Sequence, residues 1–283
     1  MSRRSFLAKL LPRSLRSSVP VVPVVRLAGT IGMGSPLRPA LTLHGVNEPL
    51  ERAFRRKDIT AVALIINSPG GSAVQSSLIA SRIRSLAEKH GTKTYAFIED
   101  VAASGGYWLA TAADEIYADH SSIIGSIGVL AAGFGFVEAM NKLGVERRVY
   151  TSGENKLILD PFQPEKPEDV ERLKTLQRDV HEAFKQMVRS RRGARLKETS
   201  EMFSGAFWAG NKALELGLID GIGEIHSVLK QKYGDKLDLI EVNRPGSWLQ
   251  RRLGGFGSHL GATAASSLLD ELEIRALWSR FGL

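Results

Sequence analysis

Short apolar runs alternate with stretches of helical period along most of the chain. Val21–Leu27 (VVPVVRL) is β-branched and interrupted by Pro23, which predicts a first or edge strand. Thr30–Pro39 is rich in Gly and Pro and reads as loop, and Val46–Arg56 alternates as a short amphipathic helix. Ala61–Ile66 (AVALII) is continuously apolar, as in a strand buried on both faces, and it stops at the loop signal Asn67–Ser72. Ala73–His90 places Leu78, Ile79, Ile83 and Leu86 at helical spacing. Thr94–Ile98 predicts the next strand, followed by Ala102-Ala103-Ser104-Gly105-Gly106 and an apolar helix through Ala113. Glu115–Ala118, Ile123–Leu130 and Val145–Tyr150 read as further strands, with a helix at Val137–Leu143. A long charged helix is expected over Pro164–Arg192, a turn and helix over Ser204–Asp220, and a last strand at Lys236–Val242. This alternation predicts an α/β fold with a mostly parallel sheet and flanking helices. Three regions follow: a basic arm over 1–20, a main α/β domain over 21–243, and a Gly-rich linker with an amphipathic helix (Ala264–Phe281) over 244–283. That tail is expected to serve as an oligomer or docking element rather than as core.

Composition narrows the chemistry. The 283 residues include no cysteine, which excludes a disulfide framework, a thiolate metal site and a cysteine nucleophile. The net charge of +8 looks like an invitation to a polyanion, but its distribution says otherwise. Seven of the 38 Lys and Arg residues precede the first acidic residue, Glu48, leaving 31 against 30 acidic residues after it. A near-neutral body argues against a nucleic-acid-binding face. In Met1–Ser18 the apolar residues Phe6, Leu7, Leu10, Leu11 and Leu15 are broken up by Lys9 and Pro12. The run is too short for a secretory signal or a spanning helix. The arm is expected either to make a peripheral contact with an anionic membrane surface or to form a solvated tail. The corresponding location is cytoplasmic, with the inner face of the membrane as the place of any contact.

In an open α/β sheet, ligands bind beyond the carboxyl ends of the strands. Two glycine turns follow strand signals there, Gly70-Gly71 and Gly105-Gly106. Side by side they offer backbone N–H groups to a developing oxyanion, although each alone is also an ordinary strand–helix connection. Ser104, directly before Gly105, is a candidate nucleophile, and an N-cap serine would look the same. The histidines give a Ser–His triad little support. His90 and His181 lie on charged helical stretches and are expected to be solvated, and His259 falls in the Gly-rich tail. His44 and His226 have no recognisable motif, leaving His120 as the one near the glycine turns. Lys156 stands in a loop just after a predicted strand, which leaves a Ser–Lys dyad open beside the reading of a solvated surface lysine.

Several motifs in order resemble the signal peptide peptidase A (SppA/SohB-type) family of serine peptidases. They are Asn67-Ser68-Pro69-Gly70-Gly71, Ala103-Ser104-Gly105-Gly106-Tyr107, Gly125-Ser126-Ile127-Gly128-Val129 and Ser152-Gly153-x-x-Lys156. Phe203-Ser204-Gly205 and Ala213-x-x-x-Gly217-Leu218-Ile219-Asp220 extend the likeness, which runs from about Val21 to Tyr233. The resemblance implies a ClpP/crotonase-like fold, a Ser–Lys dyad and no cofactor or metal. It puts the nucleophile at Ser104, the general base at Lys156 and the oxyanion donors at the N–H groups of Gly71 and Gly105. It makes Ser126 the residue that orients the lysine amine. The implied substrates are unfolded or membrane-derived peptides such as signal-peptide remnants, and the implied assembly is a homo-oligomeric ring.

A lysine at its ordinary pKa of about 10.4 is protonated at pH 7, so such a base must be desolvated. Ile123, Ile124, Ile127 and Val129, or a neighbouring subunit, are the candidate apolar surroundings, and Glu154 is expected to face solvent. Three rival readings remain at this point. Paired glycine turns can polarise the thioester of an acyl-CoA in a crotonase-like enzyme, although only Asp100 and Asp114 lie near them. A catalytically silent ring-forming scaffold would carry the same fold. A ClpP-like Ser–His–Asp peptidase lacks a histidine at fitting distance past Ser104.

Overall fold

The computed structural model describes residues 19–32, 40–153, 156–242 and 274–283. The arm over 1–18, Glu154 and the expected helix up to residue 273 lie outside the described residues. The elements run β1 (Val21–Ala28), α1 (Leu43–Arg55), β2 (Ala61–Ser68), α2 (Ala73–His90), β3 (Lys93–Ala103), α3 (Gly105–Ala110), β4 (Glu115–Ala118) and β5 (Ile123–Gly125). They continue α4 (Val137–Leu143), α5 (Pro167–Arg192), β6 (Phe207–Ala209), α6 (Gly210–Glu215), β7 (Gly221–Ile222), α7 (Ile225–Tyr233) and β8 (Asp238–Glu241). The sheet order is β6-β5-β3-β2-β1-β8, with β4 pairing β3 and β7. Every pairing is parallel except β5 with β6. The expected mostly parallel α/β sheet with flanking helices is what the chain adopts.

β3 organises the end of the sheet that carries Ser104. Its first half pairs with β4 (Tyr95 with Glu115 to Ile98 with Ala118) and its second half with β5 (Val101 with Ile123 to Ala103 with Gly125). Side chains alternate between the two faces of a strand, so β3 feeds two cores. Ala96, Ile98 and Ala102 join the larger core beneath α1, α2, α3 and α5. Tyr95 and Phe97 pack with Val228 and Leu229 of α7 on the opposite face. Further along that second face, Val101 and Ala103 pack with Ile123, Trp278 and Phe281.

Several boundaries differ from expectation. β1 is not an edge: it lies between β2 and β8, and its ladder with β2 starts at Val24, just past Pro23. The run Ile123–Leu130 is strand only to Gly125, because Ser126 takes a positive φ of 51° that ends the extended backbone. Val145–Tyr150 forms no strand and lies exposed, with no neighbouring strand among the described residues to pair with it. The helix after Ser104 ends at Ala110, short of Ala113. Residues 204–209 form a turn and then β6 before the helix begins at Gly210. In the tail, residues 274–279 are helical, Ile274 is buried, and Trp278 and Phe281 pack against Val101, Ala103 and Ile123.

Candidate active site

Ser104 sits where β3 turns into α3 with φ 51° and ψ −121°, a combination that side-chain-bearing residues avoid. Holding it costs on the order of 1–3 kcal/mol, and such strain persists only where its surroundings fix it. Two bonds do so here: Ser104 N–H donates to Gly125 O at 2.8 Å, and Ser104 O accepts from Trp108 N–H at 3.1 Å. Ser104 occupies the N-cap position of α3, but its hydroxyl caps no helix N–H. The side chain is half-buried at the carboxyl end of the central strand.

The short helix behind Ser104 is clamped at several points. Burial pushes the Tyr107 phenol pKa up, so its hydroxyl stays protonated and donates to Leu218 O at 2.7 Å. Trp108 stacks on Phe184 of α5 with ring centroids 4.6 Å apart. The carbonyls at the end of α3 are met by arginines: Arg191 bonds Thr111 O at 2.8 Å and Ala113 O at 2.9 Å, and Arg84 bonds Ala112 O at 3.3 Å. Those guanidiniums cancel the partial negative charge that a helix leaves at its C-terminus.

The two glycine turns touch. A Cβ on Gly70, whose φ is +105°, would lie 2.8 Å from Ser104 Cβ and 3.0 Å from Gly105 N. Gly71, at φ +138°, would drive a Cβ into Ile31 O. That approach is required by the bridge between Ile31 and Gly71, in which Ile31 N–H donates to Gly70 O at 2.9 Å and Ser72 N–H donates to Ile31 O at 2.7 Å. The pattern leaves the N–H groups of Gly71 and Gly105 without a protein acceptor among the described residues.

Ser126 is the next position along β5 after Gly125, as Ser104 is after Ala103, and Ala103 pairs with Gly125. The two serines therefore end adjacent parallel strands at one level, and both have φ 51°. Ser126 is buried and its N–H donates to Ala206 O at 2.7 Å. Ile124 and Ile127 beside it are fully buried. Lys156 is exposed, and no hydrogen bond links it to Ser104 within this chain. His120 is exposed and pairs with Asp119 at 3.2 Å. Asp114 is engaged by Thr94 N–H and Arg84, and Asp100 by Asn67. His181, expected to be solvated, is instead half-buried, with Nε2 3.2 Å from Ile127 O. Sequence pattern missed it because the helix around it is charged. The signal was its spacing of three from Phe184, which faces the core.

Residues 87–236 match peptidase family S49. The chain belongs to that family. It is 31% identical to "Serine protease SPPA, chloroplastic" of Arabidopsis thaliana over 89% of this chain and 39% of that protein. It is 30% identical to "Protease 4" of Haemophilus influenzae over 80% of this chain and 37% of that one. It is 50% identical over 98% of its length to 39% of a Brucella abortus protein named "Na(+)/H(+) antiporter NhaA". The chain thus spans about two-fifths of the length of these three relatives. No described helix is long and apolar enough to cross a membrane.

Proposed function

We propose that this chain is a serine endopeptidase in which Ser104 attacks the peptide carbonyl and Lys156 serves as general base. The observation that carries the reading is the strained turn at Ser104, with the unbonded N–H groups of Gly71 and Gly105 beside it. Neutral Lys156 Nζ takes the Ser104 proton as Oγ adds to the carbonyl carbon. The two glycine N–H groups stabilise the resulting oxyanion, a role in which one donor is typically worth ~10²–10³ in rate. The C–N bond breaks, the lysine returns its proton to the leaving amine, and water hydrolyses the acyl-enzyme by the same base. Ser126, one strand over from Ser104, orients the amine. The mechanism calls for no cofactor.

A base of this kind must be desolvated, and the described residues leave the segment that carries Lys156 exposed. Leu143, Val145 and Tyr150 of that segment are exposed, Tyr150 to 90%. A second copy of the chain is the natural cover, in line with a homo-oligomeric ring. The substrates are extended, unfolded peptides, with signal-peptide remnants as the class that the SppA likeness favours. The crotonase-like alternative lacks support at the site, since both nearby carboxylates are held in structural bonds.

The test is cleavage of casein and of fluorogenic peptides by wild type, Ser104→Ala and Lys156→Ala. Both variants are expected to lose at least ~10³-fold in kcat/KM, because nucleophile and base act as a unit. Full activity in Lys156→Ala would end the dyad reading.

A further inference from the structure

The turn that carries Ser126 is gripped from two sides. From the residue just before β6, Ala206 O accepts Ser126 N–H at 2.7 Å. From α5, His181 Nε2 lies 3.2 Å from Ile127 O. A carbonyl oxygen only accepts, so Nε2 carries the hydrogen and donates. Ile127 is fully buried, so losing this donor would leave its carbonyl unsatisfied away from water. The turn is also the root of the segment bearing Lys156: the chain leaves the body after Ile127 and returns where α5 begins, at Pro167. His181 therefore ties the exit of that segment to the helix into which it re-enters. α5 is itself fixed at this height, because Phe184, three residues on, stacks against Trp108 behind the nucleophile.

We propose that His181 is a positioning residue of the peptidase: its imidazole N–H holds the Ser126–Ile127 turn, and through it the place where Ser126 meets the base. The proposal rests on the Ser104–Lys156 reading. His181 touches neither substrate nor reacting atoms, and packing alone does not call for a nitrogen at its position.

The experiment compares kcat and KM for peptide cleavage in His181→Phe, His181→Gln, Ser126→Ala and the Ser126→Ala/His181→Phe double variant, with thermal unfolding as the check on folding. Phenylalanine keeps an aromatic ring without a donor, whereas glutamine offers an N–H at nearly the reach of Nε2. His181→Phe is expected to lower kcat by about 10–100-fold, with KM within about twofold, the size of effect from orphaning one buried carbonyl. His181→Gln should recover most of that loss. The double variant should be little worse than Ser126→Ala alone, because both changes act through one turn. Wild-type kcat in His181→Phe, no advantage of His181→Gln over it, or fully multiplying losses in the double variant would overturn the proposal. An inactive Lys156→Ala alongside an unimpaired His181→Phe would overturn this inference alone. An active Lys156→Ala would overturn the dyad beneath it.

Discussion

Ser104 is destabilising where it stands. At φ 51° and ψ −121° its Cβ is strained, whereas glycine occupies positive φ freely. Ser104→Gly is therefore expected to raise the unfolding free energy by about 1 kcal/mol while abolishing peptidase activity, the trade of stability against function common at active sites. A lower melting temperature in that variant would contradict the strain assigned to Ser104. Gly70 is the complementary case. An alanine there would press on Ser104 Cβ at 2.8 Å and on Gly105 N at 3.0 Å. Gly70→Ala should cost about 10²-fold or more in kcat/KM, the scale of a displaced oxyanion donor. Retained activity would show that the two turns are not held in register.

At the scale of elements, the sequence patterns located the strands by their apolar runs, and failed where the reason for an element lies elsewhere in the chain. β5 stops after three residues because Ser126 turns out of the sheet beside Ser104, which no local propensity reveals. Val145–Tyr150 reads as a strand from its valines and tyrosine, yet no described strand borders it, and a strand needs a partner. The order of the two glycine turns and Ser104 was legible because both follow apolar runs. The clamp on α3 was not, because it comes from arginines 28 to 80 residues away. A buried long-range ion pair joins α5 to the segment before β7. Arg192, fully buried, bonds Asp220 at 2.8 and 3.0 Å, and Arg195 adds a bond at 2.9 Å. Removing Arg192 strips two charge-assisted bonds from Asp220 and leaves it Arg195 and the Ile116 N–H, so Arg192→Ala is expected to destabilise by about 1.5–3 kcal/mol in chemical denaturation. Burial raises the Asp220 pKa, but its bond to Arg192, that charge, the Ile116 N–H and Arg195 outweigh it and hold the carboxyl below its ordinary 3.8. A lowered carboxyl pKa stabilises the fold above the ordinary value, and that contribution disappears as pH falls through the lower folded value. Wild type should thus lose stability below about pH 4, and Asp220→Asn should lack that part of the acid dependence.

At the scale of the molecule, the two sheet faces at the catalytic end are covered differently. One carries α3 and α5, and the other carries Trp278 and Phe281 from the far end of the chain, with Phe281 edge-on to Phe207 at 5.1 Å. The segment between β5 and α5 projects from this body with its apolar side chains uncovered, Leu143 to 77%. If a second copy covers it, Leu143→Glu with Val145→Asp should yield a folded monomer by light scattering with peptidase activity down at least tenfold. An unchanged oligomer with full activity would separate assembly from catalysis.

The central claim is that Ser104 is a nucleophile made reactive by Lys156. It is tested most directly by reacting the protein with a fluorophosphonate and locating the adduct by mass spectrometry. The expected result is one stoichiometric adduct on Ser104, formed in wild type and absent in Lys156→Ala. An adduct on another serine, or equal labelling of Ser104 without Lys156, would contradict it.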